Sequence, residues 1–262
     1  MNYENWISYR YMSGSKGGFL AFLHFISIAG VAVGVMALIV VTGIMTGFGN
    51  NLREKIIGAT PHIIIEKESG IADYGAVQKQ LVGVPGVTGA SPFVQGNLFI
   101  ENEGQAVSQI IRGINPQTEG QVTKIGTYLK EGRIEDLNDG GIIIGQELAR
   151  YYGYSIGDEV VLIAPGSGIA GRGWRYTVKI VGIFKSGMVD YDMNLSFITL
   201  SQAQKIFDLP VNKVSGIGVK LLDPEKAKDV KKAVFSTLGY SYRVKTWIDI
   251  NSNLFEALFL EK

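Results

Sequence analysis

The sequence predicts an α+β domain, mixed sheets with short helices in two subdomains, tethered to one N-terminal transmembrane helix. Three observations carry that reading. Thirty-six consecutive residues, Gly17 to Leu52, contain no Asp, Glu, Lys or Arg. Their core, Phe19 to Val41, reads FLAFLHFISIAGVAVGVMALIVV, and a helix needs about 20 apolar residues to cross a bilayer's hydrocarbon. The rest of the 262-residue chain is long enough to bury its own core, and its short strands and helices mix without strict alternation.

Before the span, Asn5 to Met12 reads NWISYRYM, whose aromatic residues suit a membrane interface. An interfacial helix is expected within residues 1–16, with the span and its extension over 17–57. Leu52 to Ile57 continues the helix, and Gly58 followed by Pro61 ends it. Within the span, Gly30 and Gly34, then Gly43 and Gly47, form two small-xxx-small pairs that let another helix backbone approach closely.

The water-facing domain is expected over 58–245. His62 to Ile65 reads as its first strand. Asp73 to Val82 is a short helix with Asp73 as cap. Phe93 to Glu101 and Gln105 to Ile114 are strands joined by the hairpin signal Asn102-Glu103-Gly104. Asn115-Pro116 opens a helix. Gly141 to Ile144 is a buried strand and Gln146 to Tyr152 a short helix. Glu159 to Ala164 and Trp174 to Phe184 are strands around a glycine-rich loop. Ser201 to Gln204 is read as a capping box. Val214 to Leu221 is a strand, Asp223-Pro224-Glu225 opens a helix running to about Leu238, and Ser241 to Lys245 is the last strand. Residues 246–262 carry Trp247, Ile250, Leu254 and Leu258 at helical spacing. They are expected to form an amphipathic helix leading toward a second membrane helix.

Composition narrows the function. Net charge is +1, with 23 basic and 23 acidic residues beyond Leu52. That balance leaves no electrostatic footprint for nucleic acid. The absence of cysteine excludes disulfide staples and thiolate metal sites. Gly30-Val31-Ala32 resembles a signal-peptide cleavage site, but the apolar run continues unbroken to Met45, longer than a signal peptide's core. An uncleaved span is expected. Arg10 and Lys16 before it are nearly balanced by Arg53 and Lys55 after it, so the positive-inside bias is weak. The expected orientation places the N-terminus inside and the large domain outside.

Gly166-Ser167-Gly168-Ile169-Ala170-Gly171 spells the dinucleotide fingerprint, but a phosphate site needs a helix N-terminus there. The following Trp174 to Val181 alternates like a strand, so the segment reads as a hairpin loop. Trp174, Arg172 and Arg175 at its base make it a candidate partner-binding edge. His24 and His62 have no acidic neighbours at ligand spacing. Asp190 and Asp192 read as loop residues, not a catalytic pair. The sequence contains no nucleophile elbow or P-loop, and no catalytic residue, cofactor or metal is expected. Tyr128, Tyr151, Tyr152 and Tyr154 read as core or seam packing.

Three blocks in order, WISYRYM, FLHFISIAGVAVGVMALIVVTGIMTGF and NNLREKIIGATPHIII, resemble the lipoprotein-releasing ABC permeases, the LolC/LolE family, as does the terminal NLFEALFLEK. One departure is Thr46, where the family's M-N-G-F pattern has asparagine. The resemblance implies a bacterial inner-membrane protein of the MacB-like superfamily, with four spans and a large periplasmic domain between the first and second. It implies a cytoplasmic ATPase in a separate chain, a second permease subunit (homo- or heterodimeric), lipoprotein cargo drawn from membrane lipids, and a periplasmic chaperone as acceptor. On that reading Ile44, Met45 and Phe48 at the outer end of the span are candidate lining for an acyl-chain cavity. Pro165, Ile169, Arg172, Trp174 and Arg175 are the candidate chaperone-contact loop, shorter here than the family's hooking hairpin. Two alternatives stand beside it: a related permease that passes ATP-driven motion to a periplasmic enzyme or efflux partner, and a single-span anchored binding domain.

Overall fold

The computed structural model describes residues 3–13, 18–102, 104–164 and 174–252. The chain divides into two compact units, Met1–Leu52 and Arg53–Lys262.

The first unit is helical. Helix α1 covers Tyr3–Ser13, with the Arg10 guanidinium 5.3 Å from the centre of the Trp6 ring. Helix α2 covers Gly18–Ala59, 42 residues, or roughly 63 Å at 1.5 Å per residue. That is about twice the thickness of a bilayer's hydrocarbon. Among the described residues it is the one helix long and apolar enough to cross a membrane, and none of its most apolar stretch is buried. Phe19, Val31 and Leu38 are each about 70% exposed. A helix apolar all round has no polar face to offer water, so this surface calls for lipid or for other helices.

The C-terminal turns of α2, from Arg53 on, belong to the second unit. The helix continues past the expected Gly58 stop because the Thr60 amide and hydroxyl both donate to the Ile56 carbonyl, at 3.0 and 2.8 Å. The Lys124 amide donates to Gly58 O at 2.9 Å, and Lys220 Nζ reaches Ile57 O at 3.4 Å. A helix end leaves its last carbonyls without partners, and here the domain supplies them. Ile56 is buried, Arg53 pairs with Glu225 and lies over the Trp247 ring, and Lys55 Nζ donates to Gly187 O.

Among the described residues, the second unit holds ten strands in one hydrogen-bonded sheet. They are β1 (Ile63–Ala72), β2 (Val87–Asn102), β3 (Gln105–Ile114), β4 (Leu129–Gly132), β5 (Gly141–Gly145), β6 (Glu159–Ala164), β7 (Trp174–Phe184), β8 (Leu195–Thr199), β9 (Lys213–Leu221) and β10 (Arg243–Thr246). Its helices are α3 (Tyr74–Val82), α4 (Pro116–Glu119), α5 (Ile125–Tyr128), α6 (Gln146–Tyr152), α7 (Val189–Asn194), α8 (Leu200–Ile206), α9 (Ala227–Leu238) and α10 (Trp247–Ile250).

Strands β10-β1-β9-β2 are antiparallel neighbours. With α3 between β1 and β2 and α9 between β9 and β10, they follow the split βαβ arrangement. The chain between β2 and β9 closes a ring. β2 pairs β3, β3 pairs β8, β8 pairs β5, β5 pairs β7, β7 pairs β6, and β6 returns to β2. The β3–β8 and β5–β7 pairs are parallel. β2 serves both parts: Val87 to Phe93 pairs β9, and Phe99 to Glu101 pairs β6 along the same edge. The mixed sheets expected from sequence are therefore one continuous sheet. A cluster of Ile114, Ile125, Leu137, Ile143, Phe184 and Phe197 fills part of the ring side, with the two phenylalanines edge to face at 5.3 Å.

Several local expectations change. Asp73 stands at the α3 N-cap with positive φ and no capping bond, its carboxylate accepting from Asn212 instead. The cap of α8 is Thr199, which accepts from the Gln202 amide, while the Ser201 hydroxyl donates to Asp139. Asp190 and Asp192 lie in α7, not a loop; Asp192 is buried and accepts from the Ser186 amide and hydroxyl at 2.8 and 2.7 Å. Of the tyrosines, Tyr128 packs on the ring cluster but Tyr151 faces solvent. Thr246 ends β10 and caps α10 through a capping box with Asp249; residues 253–262 of the expected amphipathic helix lie outside the described residues.

Gly145, at the β5–α6 junction, lets the α7 backbone lie directly against it: a Cβ there would overlap the carbonyl of Asp192. Gly145→Ala is expected to destabilise the domain by about 1–3 kcal/mol, the usual cost of overpacking, read as a lower urea midpoint.

His62 provides a second check. It is buried, its Nδ1 accepts the Leu221 amide at 3.1 Å, and burial, helped by the charge of nearby Lys220, pulls its pKa from 6.5 to about 4. The unfolded chain therefore takes up a proton as pH falls below 6.5 while the folded one does not until about pH 4. Stability is expected to be unaffected by this group above pH 6.5 and to fall between pH 6.5 and 4, by about 3 kcal/mol in all. Urea unfolding at pH 7.5 and 4.5 should show the loss, and His62→Asn should reduce it.

Candidate functional site

Three places on the chain bear on function. The first is the apolar part of α2. Gly30, Gly34, Gly43 and Gly47 all lie on it, and none would meet a neighbouring atom within 4 Å if it carried a Cβ. At about 100° per residue the two glycine pairs point roughly 140° apart around the axis, so they stand on two different sides of the helix. Ile44 and Phe48, one turn apart, are exposed and lie within about 40° of the Gly30 direction further along the helix, with Met45 half-buried beside them.

The second is the β6–β7 hairpin. The strands pair from Glu159 opposite Lys179 to Ala164 opposite Trp174. From Trp174 on, the described chain is a strand, where a dinucleotide fingerprint would be followed by a helix. Pro165, Ile169 and Arg172 lie outside the described residues. Trp174 is 66% exposed at the hairpin base. Arg175 is ion-paired with Glu101 of β2, which fixes it to the sheet.

The third was not singled out from the sequence. A cavity of about 310 Å³ opens in the second unit beside the end of α2. The ladder explains its wall. In β3, Ile110 and Arg112 share a face, opposite Leu195 and Phe197 of β8, and Gln95 of β2 stands across from Arg112. Arg112 is 8% exposed, its guanidinium 4.0 Å from the centre of the Phe93 ring. Its Nε has no hydrogen-bond partner among the described residues. Glu119 of α4, also buried, accepts from the Thr123 hydroxyl at 3.0 Å and lines the same space, as does Tyr191 of α7. Burial lowers the pKa of Arg112, against the opposing pull of Glu119 and Tyr191; burial raises that of the Tyr191 phenol, opposed by Arg112. Ala59, Thr60 and Ile250 contribute to the wall. The arrangement offers one buried positive charge, one buried negative charge and an apolar lining, which is the equipment of a binding pocket. A sequence signal for it exists: an arginine set between Ile110 and Ile114 on the inward side of a strand.

Comparison with known proteins places the chain. Residues 24–235 match the MacB-like periplasmic core domain. The chain is 31% identical over 267 residues to the lipoprotein-releasing system transmembrane protein LolC of Neisseria meningitidis serogroup B, an alignment covering 99% of this chain and 64% of that protein. It is 28% identical over 259 residues to the corresponding LolE of Haemophilus influenzae, covering 95% and 62%. The chain thus spans less than two thirds of the length of these curated relatives. Among solved structures, the periplasmic region of MacB from Actinobacillus actinomycetemcomitans aligns with a TM-score of 0.49 at 12% identity, over 76% of this chain and 94% of that one. With a family match that runs from the apolar helix to α9, the chain belongs to the MacB-like periplasmic core domain family, and the relatives it resembles along nearly its whole length include LolC and LolE proteins.

Proposed function

We propose that this chain belongs to the transmembrane subunit of an ABC-type complex that releases lipoproteins from the bacterial inner membrane to a periplasmic chaperone. The observation that carries the reading is the alignment with LolC along 99% of the chain, with the apolar helix and the water-facing domain both included. In this reading α2 crosses the membrane, α1 lies at the cytoplasmic interface, and the ten-stranded domain stands in the periplasm as two subdomains joined through β2. ATP is hydrolysed by a separate cytoplasmic subunit, and this chain transmits the motion.

The physical need for such a machine is plain. Acyl chains bury about 0.8 kcal/mol per CH₂, so a multiply acylated protein stays in the bilayer unless work is done on it. The domain's seat around the end of α2 supports the transmitting role, because a helix held at its last carbonyls and by the Arg53–Glu225 pair cannot turn without moving what holds it. The two glycine faces of α2 suit packing against a further helix of the same subunit and against the second permease. Ile44, Met45 and Phe48 then line the acyl-chain cavity, where methionine's flexible side chain adapts to variable shapes. The hairpin loop meets the chaperone through Arg172 and Trp174, with Arg175 holding its base.

Two outcomes follow. Gly34→Leu and Gly47→Leu in the complete complex are each expected to lower recovery of the partner permease and ATPase severalfold on co-purification, while a leucine at exposed Val33 leaves it unchanged. A double Arg172→Ala, Trp174→Ala variant is expected to bind the periplasmic chaperone about tenfold more weakly in a pull-down titration, in line with loss of an aromatic and arginine anchor; unchanged affinity would make the hairpin an ordinary surface loop.

A further inference from the structure

Arg112 and Glu119 carry opposite charges on the wall of one cavity, each more than nine-tenths buried. They are not paired: no ion pair within 4.0 Å joins them, and the Arg112 Nε has no hydrogen-bond partner among the described residues. Two buried charges of opposite sign normally close on each other, because each is costly to hold alone. Here the β3 ladder holds Arg112 over the Phe93 ring while α4 and the Thr123 hydroxyl hold Glu119, so the space between the charges is built into the fold.

We infer that this cavity is a binding site for a small zwitterion, an oxyanion received by Arg112 and an ammonium received by Glu119. A plain anion would gain Arg112 but meet the carboxylates of Glu119 and of Asp190, which stands exposed beside the same space. A plain cation would gain those carboxylates and meet Arg112. A ligand bearing both charges satisfies both walls at once. The planar guanidinium fork suits a phosphate or carboxylate, and Tyr191, which lines the same space, brings a phenol that can donate as well. The volume lies at the lower end of small-molecule pockets, enough for a headgroup and a short apolar continuation. Ile110 and Ile250, each 37% exposed, provide an apolar rim for that continuation. Phosphoethanolamine carries this chemistry, either free or as the headgroup of a lipid. The inference stands on the cavity alone and is independent of the transport reading.

The test is calorimetric titration of the full chain in non-ionic detergent with phosphoethanolamine, inorganic phosphate, ethanolamine and lysophosphatidylethanolamine. Phosphoethanolamine is expected to bind about tenfold or more tightly than either phosphate or ethanolamine, and Arg112→Gln and Glu119→Gln each to weaken it by a similar factor, the scale of one lost charged hydrogen bond. Tighter binding of the lysolipid than of the free headgroup identifies a lipid as the source, and equal binding a free compound. A thermal melt checks that each variant is folded. Should Arg112→Gln unfold, Tyr191→Phe and the exposed Asp190→Asn replace it, each expected to weaken binding about threefold, the low end of a single hydrogen bond's worth. Absence of binding by all four probes at millimolar concentration overturns the inference. So does phosphate binding as tightly as phosphoethanolamine, with Glu119→Gln without effect.

Discussion

The backbone carbonyls at the end of α2 must find donors, and the whole second unit is arranged so that they do. Helix ends are costly to bury unless their free groups are paired. Here the donors come from widely separated places in sequence: Thr60 just beyond the helix, the Lys124 amide before α5, and Lys220 from β9. Gly58 is the residue at the closest approach, where a side chain would overlap the Tyr128 hydroxyl. The helix end is thus gripped by the four-stranded part of the sheet and by the chain between β2 and β9 together. Neither part alone supplies every donor.

β2 is the second element on which both parts depend. Its sixteen residues exceed the usual five or six of a strand, and the excess has a use. One edge is divided between β9 and β6, while the other pairs with β3 from Phe93 to Asn102. A single rigid strand therefore ties the split βαβ arrangement to the ring. The cavity sits where these parts meet the helix end, with Gln95 from β2, Arg112 from β3 and Ala59 from α2 on its wall.

Much of this was written locally in the sequence. Strand and helix limits from Gln146 to Phe184 follow from alternation and glycine punctuation, and Asn115 and Asp223 cap where their side chains predict, accepting from Gln117 and Glu225. What was not legible depends on contacts distant in sequence. Ring closure needs β6 to find β2, and nothing in Glu159–Ala164 names its second partner. Thr199, not Ser201, caps α8, and the hydroxyls of both also donate to Asp139, a partner distant in sequence. Asp192 looked like a loop acid until the Ser186 turn came to meet it. The apolar span and the glycine pairs were plain, because composition alone marks them. Arg112 shares a face with Ile110 and Ile114, but that this face lines a cavity depends on β2 and β8, strands its own segment does not name.

The pairing of β1 has a consequence for biogenesis. Its register sets Ile63 to Glu66 against Thr246 to Arg243 on one side and Val219 to Gly216 on the other. Among the described residues, the first strand to be made thus takes both of its neighbours from the last two. Until β10 has emerged, one side of β1 stays unpaired. Closure of the β10-β1-β9 edge therefore waits for the full stretch from β1 to β10 to be made.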